Sequence, residues 1–187
     1  MEHSLSNHSK REFIIGEMNQ LDKLAVVIAC SAIGLLAADY ISATDHLFAK
    51  TAVQSGLAQA KLGQLALSRG SSEKVRGFGQ RLVNDYAAID RLKSTATKAG
   101  ILLPASLSAK DQLLINRLSG LSGAAFDKAY AESMVKNRET AVMLFQNEAA
   151  AGSNPDLKSL ASNILPSLQE QLLLARDAAG SVNAAAK

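Results

Sequence analysis

From about Thr44 to Ala179, apolar residues recur three or four positions apart, and only Pro104, Pro155 and Pro166 interrupt the 187-residue chain with proline. That spacing predicts amphipathic helices, because residues three and four apart share one face of a helix. Strands would require β-branched runs at a period of two, which are absent. A composition that is 48% apolar but 4% aromatic also suits helices packed on helices. The expected class is all-α, with a single bundle domain at 44–179.

Helix boundaries follow from punctuation. The first helix is predicted from Thr44 or Asp45 to Arg69, with Thr44 as cap and Gly70 as stop. The second opens at Ser71 or Ser72 and closes at Gly100, with Val75, Phe78, Leu82, Ile89 and Leu92 at helical spacing. "ILLP" is an extended connector, since the residue before a proline avoids the helical region. A short helix from Ser108 to Leu118 is broken by "SGLSG", and a longer piece capped by Ser122 resumes through Ala151. The last helix has Asn154 at its cap, Pro155 at its first position and Asp156 in its first turn, and runs to about Ala179. Pro166 must kink it or free a carbonyl near Ser162. Residues 180–187 read as a disordered tail. Helices of comparable length with short loops predict an antiparallel four-helix bundle whose third helix is broken. Gly56 and Gly63 on the first helix predict either a close helix approach or a simple loss of about 1 kcal/mol each relative to Ala.

Residues 1–43 differ in kind. "KLAVVIACSAIGLLAA" is an apolar run led by a lysine and followed by Ile41-Ser42-Ala43, the layout of a secretory signal. The compact leader starting at Met18, "MNQLDK", fits that layout better than the long mixed-charge stretch before it. An uncleaved N-terminal anchor and lipidation at Cys30, the sole cysteine, are the alternatives. A periplasmic or envelope-associated location is therefore expected. Cleavage after Ala43 would leave no thiol, and so neither a disulfide framework nor a cysteine nucleophile.

Residues 1–43 hold three Lys/Arg and five Asp/Glu, so without them the formal charge rises from +3 to +5. The excess is spread along the chain with neither a basic block nor interleaved aromatics, which argues against nucleic acid as partner. An envelope or protein partner and homo-oligomerisation remain open.

The chemistry-bearing signal is a set of polar residues on apolar stripes. Arg138 lies with Met134, Ala141 and Phe145; Gln59 with Phe48, Ala52, Leu62 and Ala66; Tyr86 with Leu82, Ile89 and Lys93; Gln171 with Ile164, Leu168 and Ala175. Each sits near the middle of its helix, and mid-helix positions of antiparallel neighbours meet at one level. Gln59, Asp85, Tyr86, Arg138 and Gln171 therefore form a candidate buried polar layer, with Asp85 as the expected partner of Arg138. The alternatives are that Arg138 snorkels to the surface and that the glutamines turn to boundary positions.

The blocks "SGLAQAKLGQLAL", "VRGFGQRLVNDY", "LSGLSGAAFDKAY", "MVKNRETAVMLF" and "LKSLASNILPSLQEQLLLA" resemble, in this order, the domain-of-unknown-function family 4142. These are exported bacterial proteins often labelled as outer-membrane proteins. The resemblance implies a ferritin-like bundle with histidines where this chain has Tyr86, Arg138 and Gln171, and a glutamate where it has Gln59. All four positions depart from that pattern. The chain's histidines are His3, His8 and His46, none of them near the bundle's middle, and "ExxH" does not occur. Di-iron and di-manganese bundles need inward carboxylates with Glu-x-x-His pairs, and an arginine would place a fixed cation where the metal should sit. No metal and no cofactor is therefore expected.

Other constellations are weak. Asp85 with Asp90, or Glu132 with Glu139, are carboxylate pairs of the kind helical spacing often produces on solvated faces. "GFGQ" follows no strand, so it is no phosphate loop. The serines lack a histidine base in the bundle. Three functions remain in competition: a non-catalytic exported bundle, a ferritin-like metal protein or oxidase, and a module that binds a small anion through Arg138.

Overall fold

The computed structural model describes residues 41–185, which form six helices and no strand. The leader expected at 1–43 lies almost wholly outside the described residues. The helices are α1 (Ala43–Arg69), α2 (Glu73–Asn84), α3 (Ala87–Lys98), α4 (Ala109–Ser119), α5 (Gly123–Ala151) and α6 (Pro155–Ala185). Four columns make the bundle: α1, α2 continued by α3, α5 and α6. Packing is most extensive between α5 and α6 and between α1 and α2, with α1 also on α5 and α2 also on α6. Neighbouring columns are antiparallel. The segment between α3 and α5 crosses back along the bundle, and its α4 packs on α1 and α5.

Several boundaries differ from those read in the sequence. The cap of α1 is Ser42 rather than Thr44, in a capping box with Asp45. The second helix is not continuous: it breaks at Asp85 and Tyr86 into α2 and α3. The third is broken where expected, and Ser108 accepts from the Asp111 amide, but Ser122 makes no side-chain capping bond. Asn154 caps α6 by accepting from the Leu157 amide at 3.0 Å. Helix α6 passes through Pro166, which is exposed, so water can reach the carbonyl that proline leaves unpaired. It continues to Ala185, so most of the tail expected to be disordered is helical.

The core has two halves. One gathers around Phe48 and Phe145, whose rings meet edge to face with centroids 4.9 Å apart. The other gathers around Phe78, Phe126 and Tyr130, the last two stacked at 5.2 Å. At the far half α1 and α2 cross with almost no side chain between them. A Cβ on Gly79 would lie 2.5 Å from Ala66 Cβ and 2.9 Å from the Gly63 carbonyl oxygen; one on Gly63 would lie 2.8 Å from the Gly79 carbonyl oxygen. Of the two roles open to Gly63, the structure shows the close approach.

Acidic side chains tie helix ends across the bundle. Asp127 of α5 accepts from the Ser71 and Ser72 amides at the start of α2, the latter at 2.7 Å. Asp45 of α1 accepts from the Ser42 amide at 2.7 Å and from the Ser153 and Asn154 amides at 3.0 and 3.2 Å, so it holds the start of α6 as well. Burial alone would raise the Asp45 pKa, but these bonds outweigh it and hold it at about 2. Glu148 of α5 is also fully buried, and neither carboxyl oxygen has a hydrogen-bond partner among the described residues. Burial first, then the adjacent Asp45 carboxylate, pushes its pKa from 4.5 up to about 7, against the pull of Lys158.

Two outcomes follow for stability. Gly79→Ala should destabilise the bundle by about 1–3 kcal/mol through overpacking, whereas Gly77→Ala, with nothing within 4 Å of the new carbon, should stabilise it by about 0.5–1 kcal/mol; urea denaturation of the two variants measures the contrast. Glu148 binds its proton more tightly folded than unfolded, so its contribution is complete below pH 4.5 and is lost as pH rises through about 7. Asp45 acts oppositely, contributing above pH 3.8 and losing that contribution as pH falls through about 2. Thermal unfolding should therefore occur at a lower temperature at pH 7.5 than at pH 4.5, by an amount equivalent to at most roughly 3 kcal/mol, and Glu148→Gln should flatten that limb. A limb left unchanged by Glu148→Gln would assign the dependence elsewhere.

Candidate functional site

The two apolar halves of the core are separated on three of the four columns by a polar residue. On α5 the far half ends at Met134 and the near half begins at Ala141, with Arg138 between them. On α6 Gln171 falls between Leu168 and Ala175. On the second column Asp85 falls between Leu82 and Leu92, where the helix breaks.

Arg138 is 0% exposed, which rules out snorkelling. Its Nη1 donates to Gln171 Oε1 at 2.7 Å and its Nη2 donates to Asn137 Oδ1 at 2.6 Å. Gln171, also buried, passes the contact on, because its Nε2 donates to Asp85 Oδ2 at 2.7 Å. Asp85 is thus not the direct partner the sequence suggested. It is reached through one intervening amide, since Arg138 lies too deep to touch a carboxylate at the half-buried break. Burial lowers the Arg138 pKa to about 10, opposed by the neighbouring Tyr130 and by the Asp85 carboxylate, so the guanidinium is a cation at neutral pH. Nε of Arg138 and Oη of Tyr130 are buried without a hydrogen-bond partner among the described residues.

The outer end of the relay is anchored on the surface. Arg81 Nε donates to Asp85 Oδ2 at 2.7 Å, and its two Nη atoms grip Glu170 at 3.0 and 2.7 Å. Glu170 and Asp85 hold the Arg81 guanidinium firmly protonated. Charge therefore alternates from core to solvent: Arg138, Asp85, Arg81, Glu170, with the Gln171 amide oriented by its neighbours so that its oxygen faces the cation and its nitrogen the anion.

Two expected members lie apart from this relay. Tyr86 is half-buried and turns to Lys93, whose Nζ donates to Tyr86 Oη at 3.2 Å and sits 5.4 Å from the ring centroid. The break at Asp85 and Tyr86 rotates Tyr86 off the stripe a continuous helix would have given it. Gln59 is half-buried and faces a cleft of about 220 Å³ that Asp85 and Gln171 also line. The carboxylates weighed as acid-base pairs are engaged elsewhere: Asp90 with Lys93 at 3.5 Å and Glu139 with Arg176 at 2.9 Å.

Sequence reasoning missed Asn137, Arg81, Glu170 and Glu148. Arg81 and Asp85 are four apart on one helix, a visible pairing signal. Glu148 lies on the stripe of Ala141 and Phe145, so the reasoning that singled out Arg138 applies equally to it.

The donor set does not suit a metal ion. At the positions where the resemblance implied imidazoles and a carboxylate stand a phenol, a guanidinium and two amides. Among the described residues no group of three or more His, Cys, Asp or Glu is placed to hold one.

The relay can be tested by the order of two substitutions. Gln171→Leu strands the buried Arg138 charge and should destabilise by about 3–5 kcal/mol. Arg138→Met removes the charge with its burial cost and leaves only amide oxygens unpaired, so its loss should be smaller, about 2 kcal/mol or less. Guanidinium denaturation of both variants measures the order, and the reverse order would show that Gln171 does not hold the cation.

In the crystal structure of a DUF305 fragment from Deinococcus radiodurans the same fold recurs, with a TM-score of 0.65 at 14% identity over 75% of this chain and 98% of that one. No curated protein matches the chain in sequence. The profile of the domain of unknown function DUF4142 matches residues 32–178, across the apolar run's end and five of the six helices entire, so this chain belongs to the DUF4142 family.

Proposed function

We propose that this chain is a non-catalytic, exported helical-bundle protein, periplasmic or envelope-associated, whose mid-bundle polar layer holds the helices in register rather than holding a metal. The observation that carries the reading is the full burial of Arg138 at the level where the family resemblance implied a ligand, bonded to Gln171 and through it to Asp85. A protonated guanidinium in that place repels a divalent cation, and the amides around it are already oriented by their own bonds. Export rests on the signal-like run at Lys23 to Ala38. No helix among the described residues is long and apolar enough to cross a membrane.

The competing readings meet specific obstacles. A ferritin-like metal protein or oxidase needs carboxylates and imidazoles that this layer lacks. A small-anion module needs access to Arg138, which is fully buried and does not line the cleft beside it.

Exposure of the purified full chain to ferrous iron or manganese, then desalting and elemental analysis, tests the proposal. Substoichiometric metal, unchanged in Arg138→Met, is the expected result. Stoichiometric metal that displaces the Arg138 contacts would replace this reading with the metalloprotein one.

A further inference from the structure

The cleft at the break between α2 and α3 opens beside the relay and is bounded by α1, α3, α5 and α6. Its volume of about 220 Å³ exceeds the roughly 150 Å³ of an apolar cavity known to admit benzene. One wall is apolar: Leu144, Phe145, Ile164 and Leu168. The lining also carries Gln59 and Asp85, and neither is fully used. The Asp85 bonds to Arg81 and Gln171 both fall on Oδ2, so Oδ1 is an acceptor with no partner among the described residues. The Gln59 amide likewise makes no hydrogen bond among them.

We infer that this cleft is a binding site for a small neutral molecule with a flat or short aliphatic apolar body and one hydroxyl or amide head. The head donates to Asp85 Oδ1 and accepts from the Gln59 amide, and the body packs against Phe145 and Leu168. Charge selects neutrality. Asp85 already has Arg81 at 2.7 Å as counter-ion, so a cationic head gains little and meets Arg91 at the cleft. An anionic head would face the carboxylate itself. An apolar molecule without a head would leave the Asp85 acceptor desolvated and unpaired. This inference does not depend on the metal question: ligand binding and metal content are separate readouts, and either can fail alone.

The test is a titration of the isotope-labelled full chain with phenol, toluene, benzoate and benzylamine, followed by NMR. Phenol should give saturable shifts at Ala52, Phe145 and Leu168, with affinity about tenfold above toluene. Asp85→Asn should weaken phenol binding toward that of toluene. Ala88→Leu, at the half-buried rim, should abolish it while leaving the distant Phe126 resonances unchanged; it keeps the test valid where Asp85→Asn unfolds the chain. Absence of saturable shifts, toluene binding as tightly as phenol, tighter binding of benzoate or benzylamine, or phenol binding unaffected by Ala88→Leu would each overturn the assignment.

Discussion

A guanidinium with no exposure, in the middle of a bundle, sets the terms for everything around it. Removing that charge from water has a cost of several kcal/mol, and no carboxylate touches it to compensate directly. The chain answers with a relay: the Gln171 amide takes the cation's bond on its oxygen and transmits it from its nitrogen to Asp85, which Arg81 and Glu170 extend to the surface. The amide functions as an oriented dipole between two charges. It can do so only if α2, α5 and α6 keep one register, since a shift of a single residue would rotate Gln171 off the Arg138–Asp85 line.

The rest of the architecture is consistent with that demand. The apolar core is divided at the relay's level into two halves, each closed by its own aromatic contacts. Each end of the bundle is tied by an acidic side chain that reaches from one column to the helix start of another, Asp45 at one end and Asp127 at the other. These bonds join backbone amides that a helix start leaves unsatisfied to a negative charge that the helix dipole favours. The close crossing at Gly63 and Gly79 then draws the first two columns together on the far side of the relay.

Much of this was legible in the sequence, and what was not has identifiable causes. The all-α class, the broken third helix, the helix start at Ser108 and the cap at Asn154 follow from spacing and local capping rules, whereas spacing put Arg138 on an apolar stripe and left burial and snorkelling both open. The break at Asp85 and Tyr86 has no proline or glycine to announce it; Ile89, which fills the space over Gly56, belongs to a tertiary contact invisible to local rules. That one break moved Tyr86 out of the layer and exposed the edge of Asp85 to the cleft. Likewise the frayed tail was inferred from small residues, whose lack of bulk does not forbid a helix, and the helix in fact continues with Val182 packed against the far core. Glu148 escaped notice although its position obeys the same periodicity as Arg138, because its role depends on Asp45, far away in sequence.

The state of the Arg138 side chain in solution tests this account most directly. Nitrogen-detected NMR of the guanidinium group, assigned with Arg138→Lys, reports both rotation about its C–N bonds and exchange of its protons with water. A guanidinium held by Gln171 and Asn137 should give separate, unaveraged Nη signals whose protons exchange slowly. A single averaged Nη signal exchanging as fast as that of a surface arginine would contradict it.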